Sequence, residues 1–150
     1  MGFPLPHPMR LALDLAADAA SRGEVPVGAV IMRGDEVIAA VANAMHHGAD
    51  PTAHAEIEAI RVAATRLGHQ RLNDCDLYVT LEPCAMCAGA ISHARLRRLY
   101  YGADDPKGGA VAHGPIFFSQ PTCHHRPEIY AGIGEAEAAR QLRDFFRERR

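Results

Sequence analysis

His54-Ala55-Glu56 and, well downstream, Pro83-Cys84-Ala85-Met86-Cys87 supply one imidazole, two thiols and one carboxylate, a set suited to metal-assisted proton transfer. Zinc prefers neutral imidazole and thiolate, and a catalytic zinc keeps three protein ligands so that water can take the fourth tetrahedral position. On that logic His54, Cys84 and Cys87 hold one Zn2+ per chain, and Glu56 is left over as the catalytic acid/base. Zinc brings the pKa of bound water from about 15.7 towards roughly 7, so a hydroxide nucleophile is expected at neutral pH. Glu56 would take the water proton, deliver it first to a ring nitrogen and later to a departing amine, because ammonia leaves poorly until protonated. Each half of the pattern is ambiguous alone. His-x-Glu is common on solvated helices, and Cys-x-x-Cys also serves redox pairs and structural zinc knuckles.

The supporting elements must solve two geometric problems. Cys84 and Cys87, three apart at the start of a helix predicted over 84–93, face the same way, and the helix N-terminus favours both as thiolates. His54 and Glu56, two apart, would point about 200° away from each other on a regular helix. A non-helical approach through His54 is therefore expected, with Asp50-Pro51-Thr52 providing capping and helix-starting types upstream.

Apolar spacing predicts a first helix over 9–22 stopped by Gly23, and β-prone runs over 27–32 and 37–41 joined as a hairpin through Arg33-Gly34-Asp35. A polar loop over 43–51 precedes a helix over 52–67 that ends at Gly68, with Ile57, Ile60 and Ala64 as its apolar stripe. Strands are predicted over 77–81 and 99–102, an edge strand over 129–133, and a last helix from Glu135 carrying Ala139, Leu142, Phe145 and Phe146 on one side. This alternation implies an α/β fold, a three-layer α-β-α sandwich around a mixed, roughly five-stranded sheet.

At 150 residues the chain suits a single domain over 1–150 with a core of its own. A formal charge of -2 argues against a generally basic nucleic-acid coat, so any polyanion must meet a local patch, such as the arginines at the C-terminus. Four unevenly spaced cysteines do not make a disulfide framework, and a reducing cytoplasmic compartment is expected. Asp14 and Asp18 interrupt any signal peptide, no membrane span is present, and Met1-Gly2 is no acylation site with Pro6 where Ser or Thr is wanted.

His-x-Glu with Pro-Cys-x-x-Cys is the known signature of the zinc nucleoside and nucleobase deaminases. Residues 24–30 (EVPVGAV), 50–56 (DPTAHAE), 77–84 (LYVTLEPC) and 144–147 (DFFR) closely resemble bacterial tRNA-specific adenosine deaminases. The resemblance implies a cytidine-deaminase-like fold, a homodimer, and hydrolytic conversion of the wobble adenosine of a tRNA anticodon loop to inosine. It aligns Glu56 with the proton shuttle, Asn43 with a residue that hydrogen-bonds the flipped base, and Val27 with an apolar pocket wall. Asp105 and Lys107, the only lysine, fall in a loop resembling the one that touches the RNA backbone, where a carboxylate can accept from a ribose 2′-OH. Phe146, Arg149 and Arg150 combine stacking surface with cations for RNA, while Phe145 continues the buried stripe.

Several features point elsewhere. The segment 44–49 (AMHHGA) carries no fixed positive charge, which weakens the case for RNA affinity there. Arg95, Arg97 and Arg98 read as a solvated surface, Cys123-His124-His125 as a plain loop and Cys75 as a core residue. The closest rival function is deamination of free guanine, cytosine or nucleosides. A non-enzymatic zinc-binding RNA module is the third reading, disfavoured by the spare Glu56.

Overall fold

The computed structural model describes residues 4–149, with His46 and His47 as backbone only; the Met1-Gly2 pair, those two side chains and Arg150 lie outside the described residues. Helix α1 (His7–Ser21) starts two residues earlier than expected because Pro8 is accommodated in the first turn, where its missing N–H costs nothing. Met9, Ala12, Leu13, Ala16 and Ala19 form its buried stripe, and Gly23 takes the left-handed conformation just beyond the end. Strands β1 (Gly28–Arg33) and β2 (Glu36–Ala42) make the expected hairpin, closed by Gly34-Asp35 with Gly34 at positive φ and bulged between Ile31 and Met32. Gly28 lies so close under α1 that a Cβ there would meet the Ala12 carbonyl oxygen at 2.0 Å.

The segment expected to be a loop contains one helical turn, α2 (Met45–Gly48). Helix α3 (Ala55–Leu67) starts three residues later than expected. Asp50 spends its Oδ1 on the Thr52 N–H and hydroxyl, a local Asx turn, and the N-cap position passes to His54. Gly68 ends the helix at φ 69°. Strand β3 (Asp76–Leu81), helix α4 (Ala85–Ala94), strand β4 (Arg98–Ala103), strand β5 (Glu128–Tyr130) and helix α5 (Glu135–Glu148) follow. β5 stops short of the expected Ile133, whose N–H still reaches the Tyr101 carbonyl.

Strand order is β2-β1-β3-β4-β5, with β1 antiparallel to both neighbours and β3, β4 and β5 mutually parallel. The alternation along each strand feeds two cores. Val30 and Met32 pack under α1 and α5, while Ala29, Ile31, Leu77, Val79, Leu99 and Tyr101 pack under α3 and α4. The expected three-layer sandwich around a mixed five-stranded sheet is the observed architecture.

One sequence expectation needs correction. The stripe of α3 that faces the sheet is Ala55, Ala59 and Ala63, so Ile57, Ile60 and Ala64 are left only partly buried. Small side chains let the helix lie close on the sheet, and that approach turns the isoleucines outward. Arg95, Arg97 and Arg98 lie at the solvated surface, as expected, and local bonds fix them there. Arg97 is bidentate to Asp76 at 2.9 and 2.7 Å, Arg98 pairs with Glu128 at 2.7 Å, and Arg95 caps α4 in the left-handed conformation. Cys75 is core, as expected, its thiol pushed up to about 11 by burial. Cys123 and His125 satisfy loop carbonyls, and among the described residues they form no candidate metal cluster.

Candidate active site

The carboxyl ends of parallel strands β3 and β4 open towards one pocket, a natural place for a site in a sheet of this kind. The sequence leaves β3 at Leu81, and Cys84 becomes the N-cap of α4 with Cys87 in its first turn. From the other side, His54 arrives in extended conformation (φ -64°, ψ 149°) as the N-cap of α3. This is the non-helical approach that the His-x-Glu spacing demanded, and it lets Glu56, two residues on, line the same pocket as His54.

His54 Nδ1 lies 3.7 Å from Cys84 Sγ and 3.5 Å from Cys87 Sγ, and all three ligand atoms fall within 4.8 Å of one another. Zinc–nitrogen and zinc–sulfur bonds of about 2.05 and 2.3 Å at the tetrahedral angle put N and S about 3.6 Å apart. Both nitrogen–sulfur distances therefore fit a zinc ion held by these three side chains. The hydrogen bond from Cys87 pulls the Cys84 thiol down to about 5 against its burial, helped by the Cys87 and Met86 N–H groups of the helix start and by His54; the Cys87 thiol is correspondingly raised. Burial pushes the Glu56 carboxyl up to about 7, with its own N–H pulling the other way.

The pocket, about 140 Å³, is lined by Val25, Val27, Asn43, Met45, His54, Glu56, Leu81, Glu82, Cys84 and Asp105. Val27 and Asn43, predicted from resemblance, are both buried at its wall. Asp105 accepts the Lys107 and Gly108 N–H groups on Oδ1, so it caps its own turn while also facing the pocket. Beyond Val25, Leu81 and Asp105 the pocket continues into an open groove of about 710 Å³ walled by Asp104, Lys107, Leu142, Phe146 and Arg149. The residues proposed for RNA contact from two distant stretches thus share one groove, except Arg150, which is not described. Phe145 is buried and holds Arg149 over its ring at 3.6 Å, whereas Phe146 is 50% exposed.

Sequence reasoning missed Val25, Met45, Leu81 and above all Glu82 as pocket residues. The Glu82 side chain is fully buried. Burial pushes its carboxyl up, but the N–H groups of Asp105 and Ala112, the His113 ring and the Val111 N–H more than reverse this and hold it below the usual carboxylate range. The available signal was a charged residue directly between a buried strand and Pro83.

A mixed sheet sandwiched by helices, with a His-Cys-Cys cluster and a buried glutamate at its strand ends, defines a deaminase of the cytidine-deaminase-like type. Over residues 6–150 the sequence matches the MafB19-like deaminase family. It is 60% identical over 144 residues, 96% of this chain and 95% of the other, to the tRNA-specific adenosine deaminase of Agrobacterium fabrum. A solved structure from studies of A-to-I editing by tRNA:A34 deaminases superposes with a TM-score of 0.89 at 59% identity, covering 91% of this chain and 99% of that one. Guanine deaminase from Bacillus subtilis is more distant, with a TM-score of 0.66 at 34% identity over 84% and 85% of the two chains. The chain belongs to the tRNA-specific adenosine deaminase family, within the MafB19-like deaminases.

Proposed function

We propose that this chain, as one deaminase domain over residues 1–150, hydrolyses adenosine at the wobble position of a tRNA anticodon loop, with water consumed and ammonia released as inosine forms. The observation that carries this reading is the continuity between the small His54–Glu56–Cys84 pocket and the open groove of Asp105, Lys107, Phe146 and Arg149. A free base fills only the pocket; a loop of RNA also needs the groove, with an aromatic face for stacking and cations for phosphate.

His54, Cys84 and Cys87 are the proposed ligands of one zinc ion per chain, which when bound supplies the Lewis acidity that makes water a competent nucleophile near neutral pH. Glu56 holds and moves both protons of the water: it accepts the first and delivers it to a ring nitrogen of the adenine, then takes the second from the hydroxyl added to the ring carbon and delivers it to the exocyclic amine, which leaves as ammonia. A carboxyl pushed up to about 7 suits both directions of that transfer. Asn43 orients the flipped base by hydrogen bonding, and Val27 with Val25 and Leu81 excludes water around it. Asp105 accepts from a ribose 2′-OH, Lys107, Arg149 and Arg150 meet phosphates, and Phe146 stacks on an unpaired base.

A homodimer is proposed through the outer face of α3 and α4. Ile57, Ile60, Ala90 and Phe117 line an open cavity of about 680 Å³ there, and exposed Val62 and Met86 are carried by the same helices. Among the described residues no helix is long and apolar enough to cross a membrane, and a cytoplasmic location accords with a tRNA substrate. The test is inosine mapping on tRNA incubated with purified protein, beside ammonia release from guanine, cytosine and adenosine. Inosine at the wobble position without free-base turnover is expected; free-base turnover alone would replace this reading with that of a nucleobase deaminase.

A further inference from the structure

Residues 104–113 leave β4 without regular secondary structure, yet they carry Asp105 and Lys107 to the mouth of the pocket. What holds them is one carboxylate. Glu82 Oε1 accepts the Asp105 N–H at 3.0 Å and the His113 ring at 2.8 Å (Nδ1), while Oε2 accepts the N–H groups of Val111, Ala112 and His113 at 3.1, 2.9 and 3.2 Å. The loop closes further through Gly109 N–H to the Asp105 carbonyl and Ala110 N–H to the Pro83 carbonyl. A Cβ on Gly109 would stand 2.5 Å from Glu82 Cδ and Oε2 and from the Asp105 oxygen, so only glycine lets the backbone wrap the carboxylate this tightly.

Glu82, Asp104 and His113 also bring ligand atoms within 4.8 Å of one another. A carboxylate offers about four lone-pair sites, and Glu82 already meets five partners, so the cluster is an occupied anion nest rather than a cation site. A buried charge satisfied in this way is stable only while the loop stays wrapped, because unwrapping removes these donors together and leaves the carboxylate under-paired.

We propose that Glu82 and His113 are positioning residues that hold Asp105 at the pocket mouth and thereby set recognition of the ribose of the RNA substrate. This rests on the proposed tRNA reading. Glu82 immediately precedes Pro83-Cys84, so the residue that organises the substrate loop is joined through a rigid proline to the first cysteine of the metal cluster. His113 is the accessible half of the clamp, part-exposed and absent from the pocket lining, and can be changed without touching the cysteines or Glu56.

The experiment compares wild type, His113→Ala, His113→Gln and Gly109→Ala on a tRNA transcript and on the same transcript with a 2′-deoxyadenosine at the edited position. Zinc content and melting temperature are measured in parallel. His113→Ala is expected to raise KM for the ribose substrate about tenfold, the scale of one hydrogen bond to a charged acceptor, with kcat within about twofold and zinc unchanged. Its preference for ribose over deoxyribose should shrink, and Gln, which keeps a donor for Glu82, should restore both. Gly109→Ala should behave like His113→Ala or worse. Unchanged KM, an unchanged ribose preference, or a fall in kcat and zinc that matches the rise in KM overturns the proposal. A wild-type protein that makes no inosine in tRNA overturns the tRNA reading itself, and this shows in the wild-type arm alone.

Discussion

Phe145 and Phe146 are chemically identical neighbours whose replacement by alanine should fail in opposite ways. Phe145 is only 6% exposed, packs edge-to-face against Phe146 at 5.3 Å and carries Arg149 on its face. Removing a buried phenylalanine costs about 3–5 kcal/mol, and the low end applies here because α5 can relax near its end. At about 2–4 °C per kcal/mol for a chain of this size, Phe145→Ala should lower Tm by roughly 6–12 °C. Phe146 buries half as much of itself and lines the groove, so Phe146→Ala should lose only its ring contact with Phe145, about 1 kcal/mol. Its cost should appear in substrate use. Base–aromatic stacking is worth about 1–3 kcal/mol, which converts to a loss of about 5- to 150-fold in kcat/KM for tRNA. The assay pairs thermal melting of both variants with steady-state inosine formation. A Phe146→Ala protein that melts as early as Phe145→Ala, or that edits tRNA like wild type, would refute the assignment of this ring to RNA.

Three further outcomes are expected. Glu56→Ala should retain zinc, measured by metal analysis, and bind tRNA in a filter assay, while inosine formation falls by at least about 100-fold because only proton transfer is removed. Gly28→Ala should be among the most destabilising single changes, about 3 kcal/mol or more in denaturant unfolding, since the new methyl would overlap the Ala12 carbonyl of α1. Hydrogen bonding and charge from Arg10 hold the Glu137 carboxyl below its ordinary value of 4.5, so the pair that ties α1 to α5 adds stability above that pH and loses it as pH falls through the lower folded value. For a partly exposed pair this is no more than about 1 kcal/mol. Glu137→Gln should therefore be less stable than wild type at pH 7 and equal to it near pH 2.

Which residues meet at the candidate site was legible in residue types. Two thiols and an imidazole that meet within 4.8 Å can hold a metal such as zinc, and the two-residue gap from His54 to Glu56 forced a break in helical geometry that the backbone shows. Element types were legible too, because helical and strand periodicities are properties of short windows. The errors fell where a local preference had two outlets. Asp50 chose a turn over a helix cap, and α3 buried alanines in place of isoleucines because the distance between helix and sheet, not hydrophobicity alone, decides which stripe faces in.

From sequence alone came the inventory of the candidate site, one imidazole, two sulfurs and a further carboxylate, together with the order of helices and strands that carries them. Tertiary structure alone decided that Asp105, from one loop, and Phe146, from the last helix, wall a single groove, and that Glu82 rather than any repeating backbone pattern holds the 104–113 loop in place. The physical reason is that these bonds span 23 to 31 residues, so their partners become neighbours only once the sheet has set the distance between strand ends.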